Sequence, residues 1–149
     1  MRSPNPSTWL TTRRSIRKFT ADPVPADLLQ EILAAALLAP SAHNLQPWRF
    51  AHIHSQQARQ ALGQSLTQQM RRDMQAENTP ETEIVSRIER SLRRIAQAPE
   101  ILLLCRDTQA VRLPAPEEDL MAIQSVAMCG LQLMLAAHTR GLAANWICW

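Results

Sequence analysis

A chain of 149 residues with 46% apolar side chains and a net charge of +3 is sized for one domain, able to bury roughly two-thirds of its extended surface. Its three glycines are too few and too scattered for a GxGxxG turn or a GxxxxGK[ST] loop, which excludes a Rossmann dinucleotide domain and a P-loop. The charge is uneven: residues 1–20 hold Arg2, Arg13, Arg14, Arg17 and Lys18 with no acid, so that segment carries +5 and the remainder −2. Such a patch suits an anionic ligand such as a phosphate; it is too short, and too poor in interleaved aromatics, to read as a nucleic-acid surface.

Taken in order, Ser7 is placed to cap a short helix through Thr8, Trp9, Leu10 and Arg13. The segment RRSIRKF follows. If its backbone is extended, Arg13, Ser15 and Arg17 point one way and offer guanidinium, hydroxyl, guanidinium, a plausible clamp for phosphate and carbonyl groups; a solvated basic helix end is the other reading. ADPVPADLLQEILAAALLAP predicts a core helix that starts at Pro25, carries an apolar stripe of Leu28, Leu29, Ile32, Leu33, Ala36 and Leu37, and ends at Pro40. PSAHNLQPWRF, residues 40–50, comes next. Its prolines restrict the backbone on both sides of Ser41, Asn44 and Gln46, so short polar side chains are held toward a flat polar ligand edge; an ordinary helix-to-strand loop uses the same residue types.

RFAHIHS predicts a short strand with His52 and His54 on one face. Two histidines at this spacing can bind metal, but with no carboxylate or cysteine nearby they read as exposed strand positions, and no metal is expected. Residues 56–97 predict two amphipathic helices broken at 78–80, with stripes of Ala58, Leu62 and Leu66 and then of Ile84, Ile88, Leu92 and Ile95; their mixed charges suggest a solvated face, or else a lid. EILLLCRD predicts a strand buried on both faces. A helix from Glu117 to about Arg140 is apolar almost all round, with Ala122, Ser125, Ala127 and Gly130 small enough for close approach, so it is wholly interior or half of a subunit interface. Gly141 ends it, and AANWICW begins a strand. Cys105, Cys129 and Cys148 lie in apolar runs without CxxC spacing, and read as reduced core thiols of a cytoplasmic protein. A signal peptide and a membrane span are not expected.

RRSIRKF, PVP before a core helix, PSAHNLQPWRF, the long apolar helix and GLAANWICW, in that order, resemble the FMN-dependent nitroreductase family over essentially the whole chain. The middle and the ending are similar to the nitroreductase-like domain that accompanies coenzyme F420 glutamyl ligases. The resemblance implies an α+β fold of one domain over residues 1–149, with a central, mostly antiparallel sheet wrapped by helices, and a homodimer holding two FMN molecules at its interface. It implies ping-pong transfer of hydride from NAD(P)H to a nitroaromatic, quinone or similar small-molecule oxidant, with no catalytic side chain required. By the same resemblance Arg13 and Ser15 hold the phosphate and ribityl side, Arg17 reaches the pyrimidine edge, and Arg14 belongs with them to the cofactor-binding set. Pro40, Ser41, Asn44 and Gln46 come from the other subunit, while backbone N–H groups of Cys148 and Trp149 face the ring. Family members continue beyond this point with a basic residue for the phosphate, so the chain reads as a fragment or a truncated form. The flavin-destroying enzyme of cobalamin-ligand synthesis and an inactive FMN-binding dimerisation module are the competing readings. A reductive deiodinase fits poorly, because its lid uses tyrosine and lysine and this chain has no tyrosine and only Lys18.

Overall fold

The structure, a computed structural model, describes residues 6–147. These fall into two compact units, one made of the segment ending at Arg17 with residues 24–51 and 102–147, the other of residues 18–23 and 52–101.

The first unit is arranged around the longest helix. It contains α1 (Pro6–Thr12), α2 (Ala26–Ala36), most of β1 (Trp48–His52), β2 (Leu102–Arg106) and α5 (Pro116–Thr139). Proline in the first turn and three acids, Glu117, Glu118 and Asp119, favour the start of α5 through fixed φ and the helix dipole. At its end Gly141 turns left-handed at φ 78°, its N–H donates to His138 O (3.1 Å), and Leu142 N–H donates to Ala137 O (3.0 Å). That is a Schellman stop, which glycine makes without a Cβ penalty.

On its inner face α5 presents Ala122, Ser125, Cys129 and Ala136, and α2 packs there through Ile32 and Ala36. Cys129 Sγ and Gln132 Nε2 donate to the last carbonyls of α2, Ala36 O (3.3 Å) and Ala35 O (2.6 Å), which no basic side chain caps. The helix ends at Ala36, before the proline expected to stop it, because the chain tightens to i→i+3 bonds at Leu38 and Ala39. Leu37, assigned to the apolar stripe, is therefore exposed.

The outer face of α5 is different. Leu120, Ile123, Ala127 and Leu131 follow one another at helical spacing and are all exposed, Ile123 at 56% and Leu131 at 49%. The helix is therefore not wholly interior. By length and composition α5 could cross a membrane, yet α1, α2 and β2 all pack on it.

Among the described residues the sheet has two strands, β1 and β2, running antiparallel with Asp107 N–H donating to Pro47 O (2.7 Å) at one end. Phe50 and Leu104 pack on the core formed by Ala36, Ala39, Trp48 and Cys129. A two-stranded sheet covered on one side leaves the other face open, so β2 is half-buried and Cys105 exposed, rather than buried on both faces. The strand expected at AANWICW is reduced to one parallel bridge between Ser15 and Ala144.

The second unit is a pair of packed helices, α3 (Gln56–Ala76) and α4 (Glu81–Gln97). Ser55 Oγ caps α3 by accepting from Ala58 N–H (3.1 Å), and the predicted break is made by Asn78 at φ 58° followed by Pro80. Ile84, Ile95, Met74 and Thr67 are buried, and Gly63 lets Leu92 approach closely. The charged faces are solvated, with ion pairs such as Glu83 with Arg87 (2.7 Å).

Candidate functional site

The cationic segment leaves α1 at Thr12. Arg14 folds back on that helix, donating to Thr11 O (2.8 Å) and Arg13 O (2.9 Å), so its guanidinium serves as a cap. The backbone then extends: Ile16 N–H donates to Ala144 O (3.2 Å) across the Ser15 bridge. Extension is the condition under which Arg13, Ser15 and Arg17 share a side. None of these three side chains makes a hydrogen bond or ion pair with any described residue, although Arg13 is half-buried. A groove of about 330 Å³ opens beside them, lined by Arg13, Arg14, Ile16, His138, Gly141 and Ala144. Thr12 Oγ1 gives its hydrogen to Thr8 O (2.7 Å) and therefore accepts from His138 Nε2 (3.0 Å), which fixes the imidazole at this rim.

The proline-bracketed loop is strained. His43, Asn44 and Gln46 all take left-handed φ, between 48° and 54°, where a Cβ clashes with the backbone and asparagine is the best tolerated of the three. Surrounding contacts hold it. Ser125 Oγ, buried on α5, accepts from Ala42 N–H (3.1 Å) and donates to Met121 O (2.7 Å); Ser41 Oγ accepts from Gln46 N–H (3.0 Å). Pro47 is fully buried, and Arg49 donates to Gln46 O (3.2 Å) and Trp48 O (2.7 Å) while pairing with Asp107 (2.6 Å). Beyond the loop, Arg112 Nη1 lies 3.3 Å from His43 Nδ1. Held in this way, Asn44 and Gln46 stay exposed, joined by a long contact of 3.4 Å. A second groove, about 280 Å³, is lined by Pro40, Ser41, Ala42, Gln124, Ser125 and Met128. Of the residues singled out in the sequence, Arg13 and Arg14 line the first groove and Pro40 and Ser41 the second, while Ser15, Arg17, Asn44 and Gln46 line neither.

Two features tie the C-terminal segment to α5. The Trp146 ring lies flat on Gly130, whose missing Cβ makes room for it, and Asn145 Oδ1 is buried without a hydrogen-bond partner among the described residues. Burial of Cys129 pushes its thiol up to about 11, which makes it an inert core group. Cys148 and Trp149 lie outside the described residues.

Sequence reasoning did not find Ser125, Arg49, Asn145 or His138. Ser125 registered only as a small residue, and the others act through partners distant in the chain. It also missed a carboxylate. Glu100, two residues before β2, meets the exposed His52 and His54, so the statement that no acid lies nearby holds in sequence and fails in space.

The model of the nitroreductase family matches residues 10–149, nearly the whole chain. The chain belongs to that family. A Methanothermobacter thermautotrophicus relative, named as an NADH dehydrogenase/NAD(P)H nitroreductase, is 28% identical over 92% of this chain and 57% of its own length. A Bacillus cereus nitroreductase-like protein superposes with a TM-score of 0.75 at 21% identity, covering 100% of this chain and 72% of that one. A Desulfovibrio desulfuricans nitroreductase solved in complex with FMN gives 0.68 at 24% identity, over 99% and 70%. At these identities the structures establish the nitroreductase fold alone. The chain spans less than two-thirds of the length of the curated relatives it matches, between 24% and 64%.

Proposed function

We propose that this chain works as a homodimeric, FMN-dependent NAD(P)H oxidoreductase that reduces small nitroaromatic or quinone acceptors. The observation that carries the reading is a pair of half-sites: Arg13, Ser15 and Arg17, on an extended segment beside one groove and without partners among the described residues, and a strained, braced loop that lines another groove with Pro40 and Ser41 and exposes Asn44 and Gln46. On this reading a second copy of the chain brings its loop to the arginine-serine segment, and the two together complete one flavin mononucleotide site. The exposed stripe of Leu120, Ile123, Ala127 and Leu131 on α5 is the surface on which such a copy would dock.

The residues fit the cofactor's chemistry. Two guanidinium groups and a hydroxyl match a phosphate and its ribityl oxygens. When bound, FMN supplies the two-electron chemistry, taking hydride from a nicotinamide and passing electrons to the acceptor. Arg13 and Ser15 then bind the phosphate end. Arg17 places positive charge at the pyrimidine edge, where it stabilises negative charge on the reduced ring. Arg14 fastens the segment to α1 and sets the direction of its neighbours, while Asn44 and Gln46 present amides to the ring edge, with the backbone of Cys148 and Trp149 as a further donor. No side chain is assigned a proton-transfer role, so the protein's contribution is orientation and electrostatics.

Titrating the purified chain with FMN while measuring oligomeric mass tests this. A yellow dimer that oxidises NAD(P)H with a quinone acceptor, and whose FMN affinity falls in Arg17→Ala, is the expected result. A colourless monomer at saturating FMN would refute the shared site.

A further inference from the structure

We propose that His52, His54 and Glu100 form a binding site for one divalent cation of the zinc class, which ties together the two chain segments from which α3 and α4 leave and return. The backbone alone brings the three residues to one face. Ile53 N–H donates to Ile101 O (2.9 Å), on the antiparallel register set by Pro47 and Asp107, so residues 53 and 101 face each other directly. One step outward, His54 and Glu100 are therefore cross-strand opposites, and alternation puts His52 on the same side as His54. The side chains agree with the register. One ligand atom from each of the three lies within 4.8 Å of the others, His52 Nε2 is hydrogen-bonded to Glu100 Oε2, and the two imidazole centroids are 5.4 Å apart.

Ligand atoms around a tetrahedral zinc sit roughly 3.4 Å from one another for bonds of about 2.0–2.1 Å. Rotamer-scale adjustment of exposed side chains closes that gap. The supports are fixed, because Ser55 caps α3 immediately after His54, and Arg59 donates to both Ala98 O and Pro99 O immediately before Glu100. Two neutral imidazoles and one carboxylate select zinc, copper, nickel or cobalt over magnesium or calcium, which prefer all-oxygen shells. The solvent side remains free for water as the fourth ligand. A plain surface ion pair would account for His52 with Glu100, but it leaves His54 facing the same carboxylate without a role.

The whole chain, without an affinity tag, is titrated with zinc chloride against a chromophoric chelator. One equivalent should bind; His54→Ala and Glu100→Gln should each weaken binding by at least about tenfold, and His52→Ala/His54→Ala should abolish it. His43→Gln and Cys105→Ser, outside the cluster, should leave it intact. As a second readout, zinc should raise the thermal midpoint of the wild-type chain but not of the double variant. Stoichiometric binding that survives in the double variant, or a wild-type affinity no greater than that variant's, would overturn the site. Because none of the three ligands is among the residues proposed to hold FMN, the result does not depend on FMN.

Discussion

Two helical glycines offer a controlled test of the packing, because the same substitution should have opposite signs at the two sites. Replacing a helix-interior glycine by alanine gains about 1 kcal/mol of intrinsic propensity. At Gly63 an added Cβ would meet the tip of Leu92 at 3.0 Å and Ile95 at 3.8 Å, and the Leu92 methyl can swing aside. Most of the gain should survive, leaving Gly63→Ala more stable by about 0.5–1 kcal/mol. At Gly130 the added Cβ would stand 1.7 Å from Trp146 Cζ3 and 2.3 Å from Cη2. A rigid indole must then retreat by about 1.8 Å to regain a carbon–carbon contact of about 3.5 Å.

Trp146 is 38% exposed, so roughly half of the ~3–5 kcal/mol assigned to deleting a buried tryptophan is at risk. After subtracting the propensity gain of about 1 kcal/mol, Gly130→Ala should be destabilised by about 0.5–1.5 kcal/mol. The displaced ring also drags on Asn145 and on the Ala144 bridge to Ser15. Urea denaturation followed by circular dichroism, with tryptophan fluorescence as a local probe, measures both variants. If Gly130→Ala is as stable as the wild type, or Gly63→Ala loses as much as Gly130→Ala, the reasoning is wrong.

Ser125→Ala strips the buried Ala42 N–H of its acceptor, and should cost about 1–3 kcal/mol in thermal unfolding; an unchanged midpoint would mean that a water or another group takes over. The Cys129 thiol stands at about 11 against 9.0 in the open chain, so its contribution to stability is complete below pH 9 and disappears as pH rises through 11. With no tyrosine and one lysine, little else titrates there, so urea midpoints of the wild type should fall between pH 9 and 11 relative to those of Cys129→Ala. Ile123→Glu should leave the protomer's circular dichroism intact, since the side chain is exposed, while sedimentation shifts to the monomer; a dimer that tolerates the charge would move the interface elsewhere.

Local chemistry was legible in the sequence; partners brought from afar were not. Both ends of α5 could be read because proline, acids and glycine act within one turn of themselves. The break at 78–80 was legible for the same reason. The loop at 40–47 was readable as a constrained display of polar groups, but its left-handed backbone and its brace at Ser125 depend on where α5 passes. The run at 101–105 could not reveal that only one face of its strand is covered, hence the exposed Cys105. His54 and Glu100 are distant in sequence, and only strand register makes them neighbours.

One helix links these outcomes, since α5 holds the site from its inner side and leaves its outer side apolar. Ser125 fixes the residue 40–47 loop, Gly130 seats Trp146 and through it the segment that bridges to Ser15, and Gln132 fastens α2. Both candidate half-sites are therefore registered to the same rigid rod, a few turns apart along it. A second copy docking on the Leu120, Ile123, Ala127 and Leu131 face would bring its own half-sites in fixed register with the first. On the proposed dimer, the small inner residues of α5 would place the two half-sites and its apolar outer face would meet the second copy.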